Sequence, residues 1–116
     1  MKFYTASKCC HARLWRDARQ DHQIVSSWID EAGEGQTASY SELSSRCLSE
    51  IRQADRLILL AAKGEILKGA LIEAGMALAL GIPVFCLDDG SPSISRVFKE
   101  HPLWKSCDSL EGLFAP

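Results

Sequence analysis

The chain has 116 residues, of which 47% are hydrophobic and 24% are charged, and its net charge is −2 at pH 7. This length and composition are typical of one globular domain spanning residues 1–116. The small net charge argues against nucleic acid or an anionic membrane surface as a partner, and no apolar stretch is long enough to span a bilayer.

The first half of the chain predicts two strands and two helices, separated by a polar loop. Hydrophobic periodicity, β-branched content and capping residues define these elements. In chain order they are a strand over 2–6, a helix over 10–21, a strand over 24–29, a loop over 30–37, and a helix from Ser39 or Ser41 to about Ala54.

The second half continues the alternation of strands and helices. A continuous apolar run predicts a strand buried on both faces, and Gly81 is well placed to end the helix that follows. The predicted elements are a strand over 56–62, a loop over 63–68, a helix over 69–80, a strand over 82–87, a helix over 91–100, a strand over 104–107 and a helix over 109–114.

This alternation predicts an α/β fold, a single doubly wound (Rossmann/flavodoxin-like) domain. We expect a parallel sheet of about five strands with helices on both faces. In the strand order 2-1-3-4-5, the crevice lies between strands one and three at their carboxyl ends. Residues 7–10 and 63–69 would then form the mouth of one cleft.

Glu73 is the candidate functional residue that the sequence singles out most clearly. It lies near the start of the predicted 69–80 helix, and apolar residues surround it on both sides. An unpaired buried carboxylate is costly. It is therefore either a structural acid, favoured by the helix dipole or paired with Lys68 or an arginine, or a nucleophile or general base with a tuned pKa.

Three segments resemble the nucleoside 2-deoxyribosyltransferase family, including its branch of deoxynucleoside 5'-monophosphate N-glycosidases. They are Phe3-Tyr4-Thr5-Ala6, Ala54-Asp55 at the start of an apolar strand, and Gly69-x3-Glu73-x-Gly75-x-Ala77-x-Ala79-x-Gly81-x-Pro83-Val84. The resemblance implies a nucleoside 2-deoxyribosyltransferase-like domain that cleaves or transfers at the N-glycosidic bond of a nucleoside or nucleotide.

By this resemblance, Glu73 attacks the anomeric carbon and Tyr4 lies beside it. The chemistry would resemble retaining glycoside cleavage. The resemblance also implies a homo-oligomer in which a neighbouring subunit completes the site. The chain departs from the family at Cys47 and Leu67, where the family carries acidic or hydroxyl side chains that contact the substrate.

Further residues are expected to bind the substrate from the loops around the cleft. Ser7 and Lys8 follow the first strand, where backbone amides can bind a phosphate by donating hydrogen bonds to it. Trp28 and Asp30 are a candidate pair for base stacking and ribose contact, and Lys68 favours an anionic group. The complete set is Ala6, Ser7, Lys8, Asp30, Lys68, Gly69, Met76 and Asp88.

Several other chemistries find little support in the sequence. Cys9, Cys10 and His11 are consecutive, but no second ligand cluster accompanies them, so we expect neither a metal site nor a cofactor. The Gly64-x4-Gly69 spacing lacks the Lys-Ser/Thr of a phosphate loop, and no GxGxxG follows the first strand. Five cysteines without a CxxC spacing, and an N-terminus without a signal-peptide pattern, predict a cytoplasmic protein.

Two alternatives to the glycosyl-cleaving enzyme stay open. The first is a non-catalytic nucleotide-binding or sensing module built on the same cleft, which Cys47 and Leu67 favour. The second is a hydrolase acting on NAD or a nucleotide sugar, which rests on fold analogy alone.

Overall fold

Five parallel strands form one sheet in the order β2-β1-β3-β4-β5. The structure is a computed structural model that describes residues 1–33 and 35–116. The strands are β1 Lys2–Ala6, β2 Gln23–Ile24, β3 Arg56–Ala61, β4 Val84–Asp88 and β5 Trp104–Ser106. The predicted doubly wound α/β fold is confirmed, and the strand order is the one for which the crevice lies between β1 and β3.

Helices cover both faces of this sheet. They are α1 Ala12–Ala18, α2 Tyr40–Gln53, α3 Gly69–Ala79, α4 Arg96–Lys99 and α5 Leu110–Phe114, with short 3-10 turns at Cys9–His11 and Ser27–Asp30. Helices α2 and α3 pack together on one face, while Trp15 of α1 meets Phe114 of α5 on the other. Within the described residues, no helix has both the length and the apolar character needed to cross a membrane.

Local capping explains where the two long helices begin and end. Ser39 is the residue that caps α2, because its hydroxyl accepts a hydrogen bond from the Glu42 amide at 3.2 Å. Helix α3 ends as predicted at Gly81, whose φ of 76° lies in the left-handed region. The Ile82 amide donates to the Ala77 carbonyl and the Gly81 amide to the Leu78 carbonyl, which is the Schellman arrangement.

The strand predicted over residues 24–29 is wrong, because regular pairing stops after Ile24. Beyond it, side chains replace backbone partners along the edge of β1. The Thr5 amide donates to the Ser26 hydroxyl at 3.0 Å, and the Trp28 indole donates to the Thr5 carbonyl at 2.7 Å. With these groups of β1 satisfied, the chain is free to turn into its 3-10 segment.

The helix predicted over residues 91–100 is also too long, since α4 begins only at Arg96. Ser91 and Ser93 instead donate side-chain hydrogen bonds to the Glu65 carbonyl, which holds this segment against the loop after β3.

The helix predicted over 10–21 is also shorter than expected, since it begins as a 3-10 turn and its regular part ends at Ala18. Glu34, within the predicted loop over 30–37, lies outside the described residues.

Successive side chains of β1 point to opposite faces of the sheet, so one packs in the core and the next reaches the cleft side. Phe3 faces α5, where its ring meets Phe114 at 5.0 Å between centroids. Tyr4, the next residue, faces the opposite side and reaches α3. Both side chains are almost fully buried, so β1 anchors the core on one face and presents a hydroxyl group on the other.

Candidate active site

A cleft of about 710 Å³ opens beside the carboxyl ends of β1 and β3. Its walls come from residues 7–10 after β1, Trp28, parts of residues 40–47 in α2, and parts of residues 66–76 leading into α3. This is the switch point at which the chain order of the strands reverses, where open α/β sheets bind their ligands. The volume is in the range of pockets that enclose small molecules.

Glu73 reaches this cleft from one turn inside α3. Its carboxylate oxygen Oε2 accepts a hydrogen bond from the hydroxyl of Tyr4, 69 residues earlier in the chain. Tyr4 is fully buried on β1, and the Cys47 thiol of α2 adjoins both groups. Three separate elements therefore hold one carboxylate at the cleft wall.

Burial dominates the electrostatics of this cluster. It raises the pKa of Glu73 to about 7, although the hydrogen bonds from Tyr4 and Cys47 partly oppose that shift by favouring the carboxylate. Burial and the adjacent Glu73 charge also raise the pKa of Tyr4 far above its ordinary value, and burial raises the pKa of Cys47. Near neutral pH, Tyr4 is thus a neutral donor and Glu73 is the group that titrates.

Glu73 is not a salt-bridged structural acid in the described part of the chain. The ion pairs there involve other carboxylates, and neither Lys68 nor any arginine pairs with Glu73. The cationic partner expected of a purely structural acid is therefore missing from residues 1–33 and 35–116. A partly buried carboxylate that has a raised pKa, no cationic partner among the described residues and a place in a cleft is a candidate functional group.

Five of the residues predicted to bind substrate line this cleft together with Glu73. They are Ser7, Lys8, Lys68, Gly69 and Met76. The Ser7 hydroxyl is already engaged, because it accepts from the Trp15 indole at 2.8 Å and donates to the Lys8 carbonyl at 2.9 Å. Lys8 and Lys68 are exposed at the rim, on the two sides of the crevice.

The other three predicted binding residues are placed elsewhere. Asp30 forms a bidentate ion pair with Arg19, at 2.8 and 3.0 Å, and lines a separate depression of about 420 Å³. Asp88 pairs with Lys99 at 3.2 Å and accepts two backbone amides in the turn after β4. Ala6 is fully buried at the end of β1, where it supports the cleft without lining it.

The helix α2 contributes more to the cleft than the sequence indicated. Tyr40, Leu43 and Cys47 follow one another at helical spacing along one side of α2, and all three line the cleft. The apolar stripe through Leu43 and Cys47 predicts a core face. The signal in the sequence is that this stripe extends at helical spacing to Tyr40, and the structure shows that this ring is 79% exposed.

A second cluster of reactive groups lies at the mouth of the cleft. The His11 Nε2 atom lies 2.8 Å from Glu65 Oε2, and the Cys10 Sγ atom lies 3.8 Å from the same oxygen. These three residues are the group in the described part of the chain whose donor atoms, all within 4.8 Å of one another, could hold a metal ion. The sequence concealed this cluster because Glu65 is 54 residues away from His11.

No protein-family model matches the chain, and no curated protein matches it.

Proposed function

We propose that the protein cleaves or transfers at the N-glycosidic bond of a nucleoside or nucleotide, with Glu73 as the nucleophile. The observation that carries this proposal is the Glu73 carboxylate, half-buried at the switch-point cleft and held by the buried Tyr4 hydroxyl. The motif from Gly69 to Val84, which resembles the nucleoside 2-deoxyribosyltransferase family, supports it.

The chemistry needs one carboxylate that is both ionised and confined. A Glu73 oxygen forms a bond to the anomeric carbon as the bond from that carbon to the base nitrogen breaks, and the bonding pair leaves with the base, which takes up a proton. Water or a second base then attacks the same carbon and releases Glu73. A pKa of about 7 leaves a large fraction of Glu73 ionised at neutral pH.

The Tyr4 hydrogen bond supports this role in two ways. It engages Oε2 and so fixes the rotation of the carboxyl group, and it favours the charged form against the cost of burial. Because Tyr4 itself stays neutral, it serves as a positioning donor and not as a second base.

The cleft walls favour a ligand with an apolar face and an anionic end. Trp28, Leu43 and Met76 supply apolar surface suited to a base and a deoxyribose, while Lys8 and Lys68 stand at the rim. Gly69 and Ala70, the first residues of α3, also line the cleft, and the first amides of a helix lack partners within that helix. A nucleoside 5'-monophosphate matches this combination better than a neutral nucleoside.

The decisive experiment is chromatographic detection of free base from a panel of deoxynucleosides and their 5'-monophosphates. We expect the wild-type protein to release base and Glu73→Gln to release none. Glu111→Gln, which changes an exposed acid on α5, is the matched control and should retain wild-type release. Release that survives Glu73→Gln would refute the assignment of the nucleophile.

Mass spectrometry of the acid-quenched reaction provides a second readout. A covalent pathway predicts a deoxyribosyl ester on the peptide that contains Glu73, present in wild type and missing in Glu73→Gln. Base release without that ester, at any quench time, would argue for direct attack of water assisted by Glu73 acting as a base.

A second candidate function is a nucleotide-binding module without turnover. Two observations favour it: Leu67 is buried and apolar, and Cys47 is a thiol whose pKa burial raises, so neither replaces the polar group found in the family. This function predicts that ligand at 100 times its Kd stabilises the fold by about 2.7 kcal/mol without any product. Thermal unfolding with a nucleotide panel, run beside the base-release assay, separates the two candidates.

A further inference from the structure

We propose that Cys10, His11 and Glu65 form a zinc-binding site at the mouth of the cleft. The site is separate from the Glu73 cluster, and it does not depend on the function proposed for that cluster. It joins the 3-10 turn after β1 to the loop between β3 and α3.

The donor atoms have the chemistry that zinc requires and a spacing close to that of its ligands. A thiolate, an imidazole nitrogen and a carboxylate oxygen are its three usual protein ligands. Around a tetrahedral zinc ion, such donors lie roughly 3 to 4 Å apart. Here the Nε2 to Oε2 distance is 2.8 Å and the Sγ to Oε2 distance is 3.8 Å, and all three atoms lie within 4.8 Å of one another.

The short distance between His11 and Glu65 is that of a hydrogen bond in which Nε2–H donates to the carboxylate. Binding of Zn²⁺ at Nε2 displaces this proton, which moves to Nδ1 of the neutral imidazole, and the Cys10 thiol loses its own proton to become a ligand. Each ion bound therefore releases the thiol proton. The fourth position falls to water or to an anionic group at the cleft mouth, which Cys10 also lines.

Glu65 is held in place by contacts that leave one of its oxygens for the metal. Its Oε1 atom accepts the Ala62 amide at 2.9 Å, so Oε2 is the oxygen that faces His11 and Cys10. Its backbone carbonyl accepts the hydroxyl groups of Ser91 at 2.6 Å and Ser93 at 3.2 Å. Such outer contacts orient a ligand before the ion arrives, which lowers the cost of binding.

The neighbouring Cys9 makes the proposal specific. It is as exposed as Cys10 and precedes it directly, but it is not among the three clustered ligands. A surface thiol that bound metal without a site would not distinguish the two positions. Cys9→Ser is therefore the matched control for Cys10→Ser.

The test is competition for Zn²⁺ against a chromogenic chelator, together with the absorption spectrum of the Co²⁺-loaded protein. We expect wild type and Cys9→Ser to bind one Zn²⁺ and to show a thiolate-to-cobalt charge-transfer band. Cys10→Ser and Glu65→Gln should bind more than about 100-fold more weakly, because removing a ligand costs more than removing an outer contact. The Cys10→Ser protein should also lose the charge-transfer band.

Equal zinc affinity in wild type and Cys10→Ser, or equal losses in Cys9→Ser and Cys10→Ser, would overturn the proposal. A second measurement on the unmutated chain keeps the test independent of how the variants fold. Fragmentation mass spectrometry after brief alkylation should show that Zn²⁺ protects Cys10 and leaves Cys9 reactive. Protection of neither residue, or of both equally, would contradict the site.

Discussion

Glu73 illustrates how one residue acquires its properties from three elements. On an exposed helix, a glutamate titrates near its ordinary pKa of 4.5, but here burial against β1 and α2 raises its pKa to about 7. The hydrogen bond from the Tyr4 hydroxyl reduces the free-energy cost of burying the ionised carboxylate. A lysine or arginine would neutralise the charge, and Tyr4 does not. The surroundings therefore destabilise the ionised form of this carboxylate relative to its protonated form.

This cost makes the stability of the protein depend on pH. The unfolded chain releases the Glu73 proton near pH 4.5 and the folded protein near pH 7, so the contribution of Glu73 to stability is fully present below the first value and is lost as pH rises through the second. We expect Glu73→Gln, neutral at every pH, to be more stable than wild type at pH 8 by up to about 3 kcal/mol. The two proteins should converge near pH 4.5 in urea unfolding, and a difference independent of pH would contradict the expectation.

The Tyr4 contact has its own signature in the pH profile. Because the hydrogen bond from Tyr4 lowers the pKa of Glu73, its loss in Tyr4→Phe should raise that pKa further. We expect the rising limb of base release against pH to move to higher pH, and the fold to lose about 1 kcal/mol in urea unfolding. A profile that falls by the same factor at every pH would show that Tyr4 does not act through Glu73.

At the scale of the element, α3 combines a glycine that the fold requires with one that it does not. Gly81 adopts a φ of 76° in the turn that ends the helix, whereas Gly75 lies in the middle of α3. Beyond the adjacent backbone of α3 itself, a side chain at Gly75 would meet no atom of the described residues within 4 Å of its Cβ. The glycine at position 75 therefore costs helix stability without providing space for a described neighbour.

These two glycines should respond to the same substitution in opposite directions. We expect Gly75→Ala to raise the free energy of unfolding by about 0.5–1 kcal/mol, since alanine restricts the unfolded chain and favours the helix. Gly81→Ala should lower it by about 1 kcal/mol or more, because alanine resists the left-handed conformation. Thermal unfolding compares the two variants directly, and destabilisation by Gly75→Ala would indicate that a second chain covers this face of α3.

The end of the second strand shows where element prediction from sequence fails. Residues 24–29 carry the β-branched and aromatic side chains of a strand, yet Ser26 and Trp28 use those side chains to bond the backbone of Thr5. A pattern of residue types does not reveal whether backbone or side-chain groups complete the hydrogen bonds along the edge of a strand. By contrast, the end of α3 at Gly81 was predicted and the cap of α2 was narrowed to Ser39 or Ser41, because a cap is a contact between residues close in sequence.

At the scale of the molecule, Arg56 ties the first residue of β3 to the end of the chain. Its guanidinium group lies 3.5 Å from the centroid of the Phe85 ring and donates to the carbonyl groups of Leu113 and Ala115 at 2.7 and 2.8 Å. The side chain is nearly fully buried, so these contacts replace the water that it lost. One charged residue thus links the centre of the sheet to α5.

Loss of this link should weaken the whole fold. We expect Arg56→Met to lower the free energy of unfolding by about 2–4 kcal/mol, because it removes two charge-assisted hydrogen bonds and leaves a buried carbonyl group unsatisfied. Arg52→Met, at an exposed position of α2, is the control and should change stability by less than about 0.5 kcal/mol. Urea unfolding measures both, and equal effects would refute the role assigned to Arg56.

The sequence by itself determined the alternation of strands and helices and the fold class and, for the strand order 2-1-3-4-5, the position of the cleft mouth. These follow from local hydrophobic periodicity and from the few topologies open to short parallel connections. The same reasoning predicted that Glu73, Lys8 and Lys68 lie around one crevice, as they do in the structure. It did not extend to the partners of individual polar groups, and Tyr4 was expected beside Glu73 only from the resemblance to a known family.

Only the tertiary structure shows which partners those polar groups have. Tyr4 meets Glu73 across 69 residues, and His11 meets Glu65 across 54, while Asp30 turns away to Arg19. Such contacts depend on the orientation of side chains on elements far apart in the chain, which residue spacing does not encode. The physical reason is that periodicity reports which face of an element is buried, whereas the partner of a polar group depends on how separate elements pack.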